Sequence, residues 1–176
     1  MKKILYAIPV GLLTLCSSCS DKSSNKMDNG AAAKNLAAAH GVNQAILSGD
    51  VSKLGDFIAT DAVDHAGMGE GDIKGLDSIK AMLGKMKSMM KDMTQDIVKE
   101  LADSDYVFQW MHFTGTSTMP DMGMPAGTKY DMTAIEASKY KDGKIIEHWE
   151  FMQPSDVMKM MPKGGLPPKM DSSMHK

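Results

Sequence analysis

Hydrophobic residues recur with a helical period in the first half of the chain and with a period of two in the second half. Apolar side chains every three or four residues predict three helices, at 31–47, 51–59 and 76–90. Alternating apolar and polar side chains predict four strands, at 94–102, 106–118, 128–140 and 145–153. The remaining predicted pieces are a short strand at 61–65, a glycine-rich loop at 67–75 and a helical turn at 156–161.

This order of elements predicts an α+β fold in which three N-terminal helices pack on a curved antiparallel sheet. A curved sheet that wraps around helices forms a cone with one open mouth. We therefore expect a pocket between the helices and the sheet from the architecture alone.

The first residues of the chain have a different pattern. Lys2 and Lys3 precede an apolar run at 4–15, which as a helix would be about 18 Å long and too short for the ~30 Å core of a membrane. Small Ser17 and Ser18 then precede Cys19. This arrangement is typical of a cleaved signal peptide at 1–18.

The same stretch resembles the lipobox of bacterial lipoproteins, although Cys16 stands where that family prefers leucine. The resemblance implies lipidation of Cys19, followed by a flexible polar tether at 19–30. The protein would then be anchored by lipid in the bacterial cell envelope, at the outer membrane on its periplasmic or surface side. An ordinary secretory signal cut nearby is the alternative.

Composition fits one folded domain at 31–161 and a disordered tail at 162–176. The net charge is −2 and the sequence contains no arginine, which argues against nucleic-acid partners and phosphorylated ligands. No Walker or GxGxxG motif occurs, and the histidines and carboxylates lack the spacing of a zinc site. We therefore expect no cofactor and no metal site built from these groups.

Methionine is unusually common, with 19 residues. Those in the predicted third helix fit a role as flexible core side chains. Two other groups fall where no core is predicted, at 119–124 and 158–161. Because thioethers are soft ligands, an alternative function is the binding of Cu(I) or Ag(I) in the envelope.

Seven short segments between about residues 35 and 160 form a recognisable set, and the last of them is the most specific: Ser48-Gly-Asp50, Asp61-Ala-Val-Asp-His65, Asp105-Tyr-Val107, Thr114-Gly-Thr116, Met124-Pro-Ala126, Ile135-Glu136 and Asp142-Gly-Lys-Ile-Ile-Glu-His-Trp149. Together these segments resemble the SnoaL-like polyketide cyclases of the nuclear transport factor 2-like superfamily. The resemblance implies the cone-shaped fold already predicted. It also implies acid/base chemistry by a carboxylate with a histidine nearby.

Three residues are candidates for that chemistry. The family's register favours Glu136 as the acid/base group, and Asp131 is a second candidate, but five residues apart on a strand they face opposite sides. His65 stands at a histidine position that recurs in the family. The family's frequent Gly-Thr-His reads Gly-Thr-Ser at 115–117, so that histidine is missing here.

Four further residues are candidates for the wall of the pocket: Trp149, Trp110, Tyr106 and His148. On the last strand, His148 and Glu150 alternate with Glu147 and Trp149, so only one pair can line the pocket. We favour Trp149 inside, because a large ring outside would need covering.

The sequence therefore predicts a lipid-anchored domain that binds a small, largely apolar ligand. It leaves open whether the protein is an enzyme, such as a cyclase, isomerase or hydrolase. The alternatives are a non-catalytic binding module and an assembly module, since open sheets of this kind can pair as homodimers.

Overall fold

The computed structural model describes residues 29–65, 71–118 and 125–160. The expected signal peptide, Cys19, most of the tether and the tail lie outside these residues. Within them, no helix is both long enough and apolar enough to cross a membrane.

Four α-helices and six strands follow one another along the chain, with a short 3-10 turn at Val51–Lys53. The helices are α1 Asn29–Ser48, α2 Leu54–Phe57, α3 Leu76–Ser88 and α4 Pro154–Met160. The strands are β1 Ile58–His65, β2 Ile73–Lys74, β3 Met90–Ala102, β4 Tyr106–Ser117, β5 Lys129–Lys141 and β6 Lys144–Met152. This confirms the predicted α+β class, with helices packed on one curved sheet.

Local sequence explains where the elements end. Gly49 follows α1 with a φ of 77°, a conformation that suits glycine at a helix C-terminus. Between β3 and β4, the Asp103 carboxylate accepts hydrogen bonds from the backbone amides of Asp105 (2.8 Å) and Tyr106 (2.7 Å). Between β5 and β6, Asp142 and Gly143 both have positive φ, as a tight two-residue hairpin requires.

The described sheet contains six strands in the order β2-β1-β6-β5-β4-β3. They are the four predicted long strands, the predicted short strand at 61–65 and one strand that was not predicted. The short strand is the second half of β1, which begins at Ile58, where the second helix was predicted to continue, and pairs in parallel with β6. Residues 73–74, predicted as loop, form β2 beside β1. The start of β1 and the whole of β2 depend on pairing with residues distant in sequence, so local periodicity does not reveal them.

The sheet has an inner face toward the helices and an outer face away from them. One buried cluster joins α1, α2 and α3 to β1 and the hairpin end of the sheet, around Leu54, Ile58 and Tyr140. A second cluster, around Met111, Phe113 and Tyr130, occupies the other end of the inner face. The cone-shaped space between the two clusters holds the candidate site.

Candidate functional site

A cavity of about 160 Å³ lies between helices α1 and α3 and the inner face of the sheet. Its walls are largely apolar and rich in methionine. The apolar residues that line it include Val42, Ile46, Ile79, Met82, Leu83, Met86, Met90, Met93, Phe113 and Met132. A cavity of this volume is similar in size to one that can hold a benzene ring.

Strand register brings polar side chains to one region of this apolar cavity. Glu136 on β5 lies opposite Gln109 on β4 and Glu150 on β6. One step along the strands, His148 lies opposite Asp64 on β1. The four ionisable residues Asp64, Glu136, His148 and Glu150 therefore converge on the cavity from three strands.

His148 is placed between two carboxylates. Its Nδ1 atom lies 3.2 Å from an oxygen of Asp64, and its Nε2 atom lies 3.8 Å from an oxygen of Glu136. Burial alone would lower the pKa of His148, but the interactions with Asp64 and Glu136 outweigh it and raise the pKa to about 10. His148 is therefore an imidazolium at neutral pH.

Glu150 is the carboxyl group whose pKa suits proton transfer near neutrality. The surrounding protein desolvates it, and the negative charge of Glu136 adds to this effect, so its pKa rises to about 7. The side chain still reaches solvent through the open side of the cavity. Glu150 can therefore exchange protons with water and present either form to a ligand.

A second polar network holds Gln109 in the cavity wall. Its amide nitrogen donates to Glu100 at 3.0 Å, and its amide oxygen accepts from Asn43 at 3.2 Å. Glu100 also contacts His40 at 2.9 Å. Because the network joins α1 to β3 and β4, it fixes the position of the helix over the cavity.

Tyr140 also lines the cavity, and its side chain is 4% exposed. Its hydroxyl has no hydrogen bond of standard geometry among the described residues, although the Ser138 side chain is near enough to interact with it. Burial raises the pKa of Tyr140; the interaction with Ser138 partly offsets this rise, and the negative charge of Glu136 increases it. The hydroxyl is therefore neutral and has bonding capacity left for a ligand.

Two of the residues predicted from the sequence lie in the cavity, Glu136 and His148. The prediction that Trp149 faces the inside is wrong. On β6, His148 and Glu150 face the cavity, and Glu147 and Trp149 face outward. The Trp149 ring is covered on this outward side by His65, whose ring stacks on it with centroids 4.8 Å apart.

The other predicted residues lie outside the cavity. The His65 Nδ1 atom lies 3.0 Å from a carboxylate oxygen of Asp72, away from the cavity lining. Asp131, with its side chain 80% exposed, lies 2.8 Å from His112 on the outer face. Trp110 and Tyr106 share that face, because β4 directs alternate residues outward and Gln109 faces the cavity.

Three residues that sequence reasoning did not propose as site residues join the site: Asp64, Glu150 and Tyr140. Alternation along β6 placed Glu150 on the same face as His148, so this signal was present in the sequence. Asp64 precedes the predicted His65, and the alternation of β1 could have identified it had the strand's parallel partner been known. Tyr140 carried no distinguishing local signal.

The described part of the chain contains no group of three or more His, Cys, Asp or Glu side chains arranged to hold a metal ion. The methionines at 119–124 and Met161 fall outside the described residues, so the copper hypothesis stays a prediction there. Met158 on α4 is 67% exposed. In contrast, the methionines of α3 line the cavity wall.

Comparison with known proteins agrees with this geometry. The family model of the SnoaL-like polyketide cyclases matches residues 37–161. The chain belongs to the SnoaL-like polyketide cyclase family. Among curated proteins, none matches the sequence.

Solved structures of SnoaL-like proteins have the same fold. IdmH from Streptomyces antibioticus, a proposed polyketide cyclase, is 26% identical, with 72% of this chain and 96% of that chain covered and a TM-score of 0.60. A SnoaL-like polyketide cyclase from Agrobacterium tumefaciens is 15% identical, covering 71% and 95%, with a TM-score of 0.62. An epoxide hydrolase of the LEH-like type from M. tuberculosis is also 15% identical, covering 74% and 90%, with a TM-score of 0.60.

The SnoaL-like cavity of this chain thus combines an apolar wall with a charged imidazolium and a carboxyl group that titrates near pH 7. A carboxylate of this pKa can remove a proton from a bound molecule. An imidazolium beside it can stabilise the negative charge that then develops.

Proposed function

We propose that this protein is an acid/base enzyme that binds a small, largely apolar molecule in the cone and moves a proton at its polar end. The observation that supports this proposal is the convergence of Glu136, Glu150 and His148 in one apolar cavity. A pocket that only bound an apolar ligand would not need these three ionisable groups. The half-buried Glu136 and His148 cost free energy to desolvate, and Glu150 at the open side adds repulsion with Glu136.

Each charged group has a separate role in the proposal. Glu150 takes the proton from the substrate and returns it, because its pKa of about 7 makes both forms available. The positive charge of His148 stabilises the substrate atom that gains negative charge. Asp64 and Glu136 keep His148 charged and oriented, which changes the role that the sequence suggested for Glu136.

The Kemp elimination of 5-nitrobenzisoxazole tests this proposal without knowledge of the natural substrate. A base removes the C3 proton, the ring N–O bond breaks, and the product is a coloured cyanophenolate. We expect kcat/KM to rise with pH and to level off above an inflection near pH 7, where Glu150 becomes ionised. Glu150→Gln should lower kcat/KM by roughly 100-fold or more, since general base catalysis contributes about 10²- to 10⁴-fold.

Two further variants make the assignment specific. Glu147→Gln is the matched control on the outer face of the same strand and should change the rate by less than about twofold. Glu136→Gln should keep activity but move the inflection to lower pH, because the charge of Glu136 helps to raise the pKa of Glu150. If Glu136→Gln loses activity and Glu150→Gln keeps it, then Glu136 is the general base and the assignment of Glu150 is wrong. No rate above that of a solution of acetate would favour a non-catalytic binding module.

We also propose that the mature protein is anchored by lipid on Cys19 in the bacterial envelope, which the sequence of residues 1–19 supports. Mass spectrometry of the membrane fraction should find an acylated N-terminal peptide that begins at Cys19. The Cys19→Ser protein should leave that fraction. A protein that keeps residues 1–18 or lacks acyl chains would contradict the proposal.

We propose in addition that the outer face of the sheet pairs with a second copy of the chain. Register places exposed apolar residues side by side on this face: Leu101, Phe108, Trp110, Ile135 and Phe151. Phe151 is 60% exposed and Ile135 is 48% exposed. Charges of both signs border the patch, as in the Lys139–Glu147 pair at 2.8 Å, which suits a self-complementary interface.

A further inference from the structure

We propose that the cavity selects a hydrophobic amine, an apolar molecule whose single ammonium group is bound by Glu136 and Glu150. The inference rests on the proposed function in one respect, since it assumes that the same cavity is the ligand site. It adds the chemical class of the ligand, which neither the family nor the acid/base proposal specifies.

The charges of the cavity do not balance. Three carboxyl groups, those of Asp64, Glu136 and Glu150, face it from β1, β5 and β6. Among the described residues that line it, the only group that can carry a positive charge is His148, and no lysine is present. Asp64 and Glu136 already use both nitrogens of that imidazolium. Glu150 is thus left without a hydrogen-bonded cationic partner among the described residues.

This imbalance discriminates between ligands. In a partly desolvated cavity, charges interact more strongly than in water, so a ligand carboxylate would be repelled by Glu136 and Glu150. An ammonium group would instead relieve the repulsion between them. Their side chains lie directly opposite each other on neighbouring strands, close enough for one cation to contact both.

Tyr140 gives an independent observation at the same place. Its hydroxyl oxygen is buried in a residue that lines the cavity, and in the described part of the chain it makes no hydrogen bond of standard geometry, only a weaker interaction with Ser138. A buried hydroxyl without a well-formed hydrogen bond costs free energy, which a ligand can recover. An ammonium group has three N–H donors, so it can bond to this oxygen and to carboxylate oxygens at once.

The rest of the wall suits the apolar part of such a molecule. Four methionines line the cavity, Met82 and Met86 on α3 and Met90 and Met93 on β3. Methionine side chains are flexible and polarizable, and they adapt to flat or aliphatic groups of different shape. The volume of about 160 Å³ has room for one aromatic ring.

Binding of an ammonium group should also displace a proton from Glu150. The pKa of Glu150 is set by its own desolvation and by the charges of Glu136, His148 and Asp64, which lie on β5, β6 and β1. A ligand cation favours the ionised carboxylate. With a pKa of about 7, Glu150 is partly protonated in the free protein at pH 7, so binding of a cation should release a fraction of a proton.

The test compares three probes of equal length, 3-phenylpropylamine, 3-phenylpropan-1-ol and 3-phenylpropanoate, by isothermal titration calorimetry at pH 7. We expect the amine to bind at least about tenfold more tightly than the alcohol, and the acid to bind more weakly than either. Measurements in two buffers with different ionisation enthalpies should detect proton release for the amine but none for the alcohol.

Two variants connect this preference to the cavity. Glu150→Gln should abolish proton release and reduce the preference for the amine over the alcohol, and Glu136→Gln should reduce the preference as well. Glu147→Gln, on the outer face, should leave both unchanged. Thermal unfolding of each variant shows whether it is folded before its binding is measured.

The outcomes separate this inference from the proposed function. Equal or tighter binding of the acid, or an amine preference that survives in both cavity variants, would overturn the inference. Such a result would leave the Kemp elimination, whose substrate is neutral, unaffected. In the same way, an inactive protein that still selects the amine would contradict the acid/base function and support the ligand class.

Discussion

At the scale of single residues, the cluster around His148 links the site to the stability of the fold. The imidazolium is stabilised by Asp64 and Glu136, so the folded protein binds this proton more tightly than the unfolded chain, where histidine has a pKa of about 6.5. A raised pKa in the folded state contributes stability that is complete below the unfolded pKa and is lost as pH rises through the folded pKa. For His148 this window extends from about 6.5 to about 10.

We therefore expect the free energy of unfolding to fall as pH increases from 6.5 to 9, by at most about 1.4 kcal/mol per pH unit from this group. Urea unfolding at several pH values measures the slope. His148→Gln should flatten it. Equal slopes for the wild-type protein and His148→Gln would contradict the charged state assigned to His148.

At the scale of elements, two helical glycines illustrate how packing decides the effect of one methyl group. A Cβ atom on Gly41 of α1 would overlap the ring of Phe57 in α2. A Cβ atom on Gly84 of α3 would meet no atom within 4 Å. Both glycines carry the ordinary cost of glycine inside a helix, about 0.5–1 kcal/mol relative to alanine.

Gly84→Ala should therefore stabilise the protein by about 0.5–1 kcal/mol. Gly41→Ala should destabilise it by about 1 kcal/mol or more, because displacement of the Phe57 ring outweighs the gain in helix propensity. The two variants are controls for each other in urea unfolding. A stabilised Gly41→Ala protein would show that α1 and α2 are not packed as closely as the structure has them.

The hairpin between β5 and β6 fixes the register that creates the site. The tight turn at Asp142 and Gly143 pairs Tyr140 with Ile145. A one-residue bulge after that pair then sets Ser138 opposite His148 and Glu136 opposite Glu150. Shifting one strand by a single residue would turn every one of these side chains to the other face. The charged cluster therefore depends on turn geometry as much as on the charged residues themselves.

At the scale of the whole molecule, the two faces of the sheet divide the proposed functions. The inner face forms the cavity with α1 and α3, and the outer face carries the apolar patch. A contiguous apolar patch on a protein surface usually marks an interaction site. Pairing of two sheets across this patch would leave both cavities accessible on the opposite side.

We expect the protein without residues 1–30 to be a dimer by sedimentation equilibrium. Ile135→Asp, at the centre of the patch between Trp110 and Phe151, should convert it to a monomer. Ala37→Asp, an exposed position on α1, is the control for the added charge and should leave the dimer intact. A monomeric wild-type protein at high concentration would contradict this assembly.

Much of the fold and part of the site follow from the sequence. Local periodicity predicts α1, α3 and the four long strands, because amphipathic faces and turn residues are encoded within a few neighbouring positions. It does not predict β1 and β2 in full, because they are short and depend on partners elsewhere. The choice of Trp149 over His148 for the inside failed because the stacking of His65 on Trp149 is a long-range contact.

What the sequence by itself determined is which side chains share a face: alternation placed His148 with Glu150, and it separated Glu136 from Asp131. Which face is inside was decided only by the tertiary structure, because that choice depends on the helices that cover the sheet and on the partners available to each ring. The central contact of the site, between Asp64 and His148, joins residues 84 positions apart through the parallel pairing of β1 and β6. The contacts with Asp64 and Glu136 together make His148 a cation. Its charge state depends on distance and burial and not on order along the chain, so only the tertiary structure decides it.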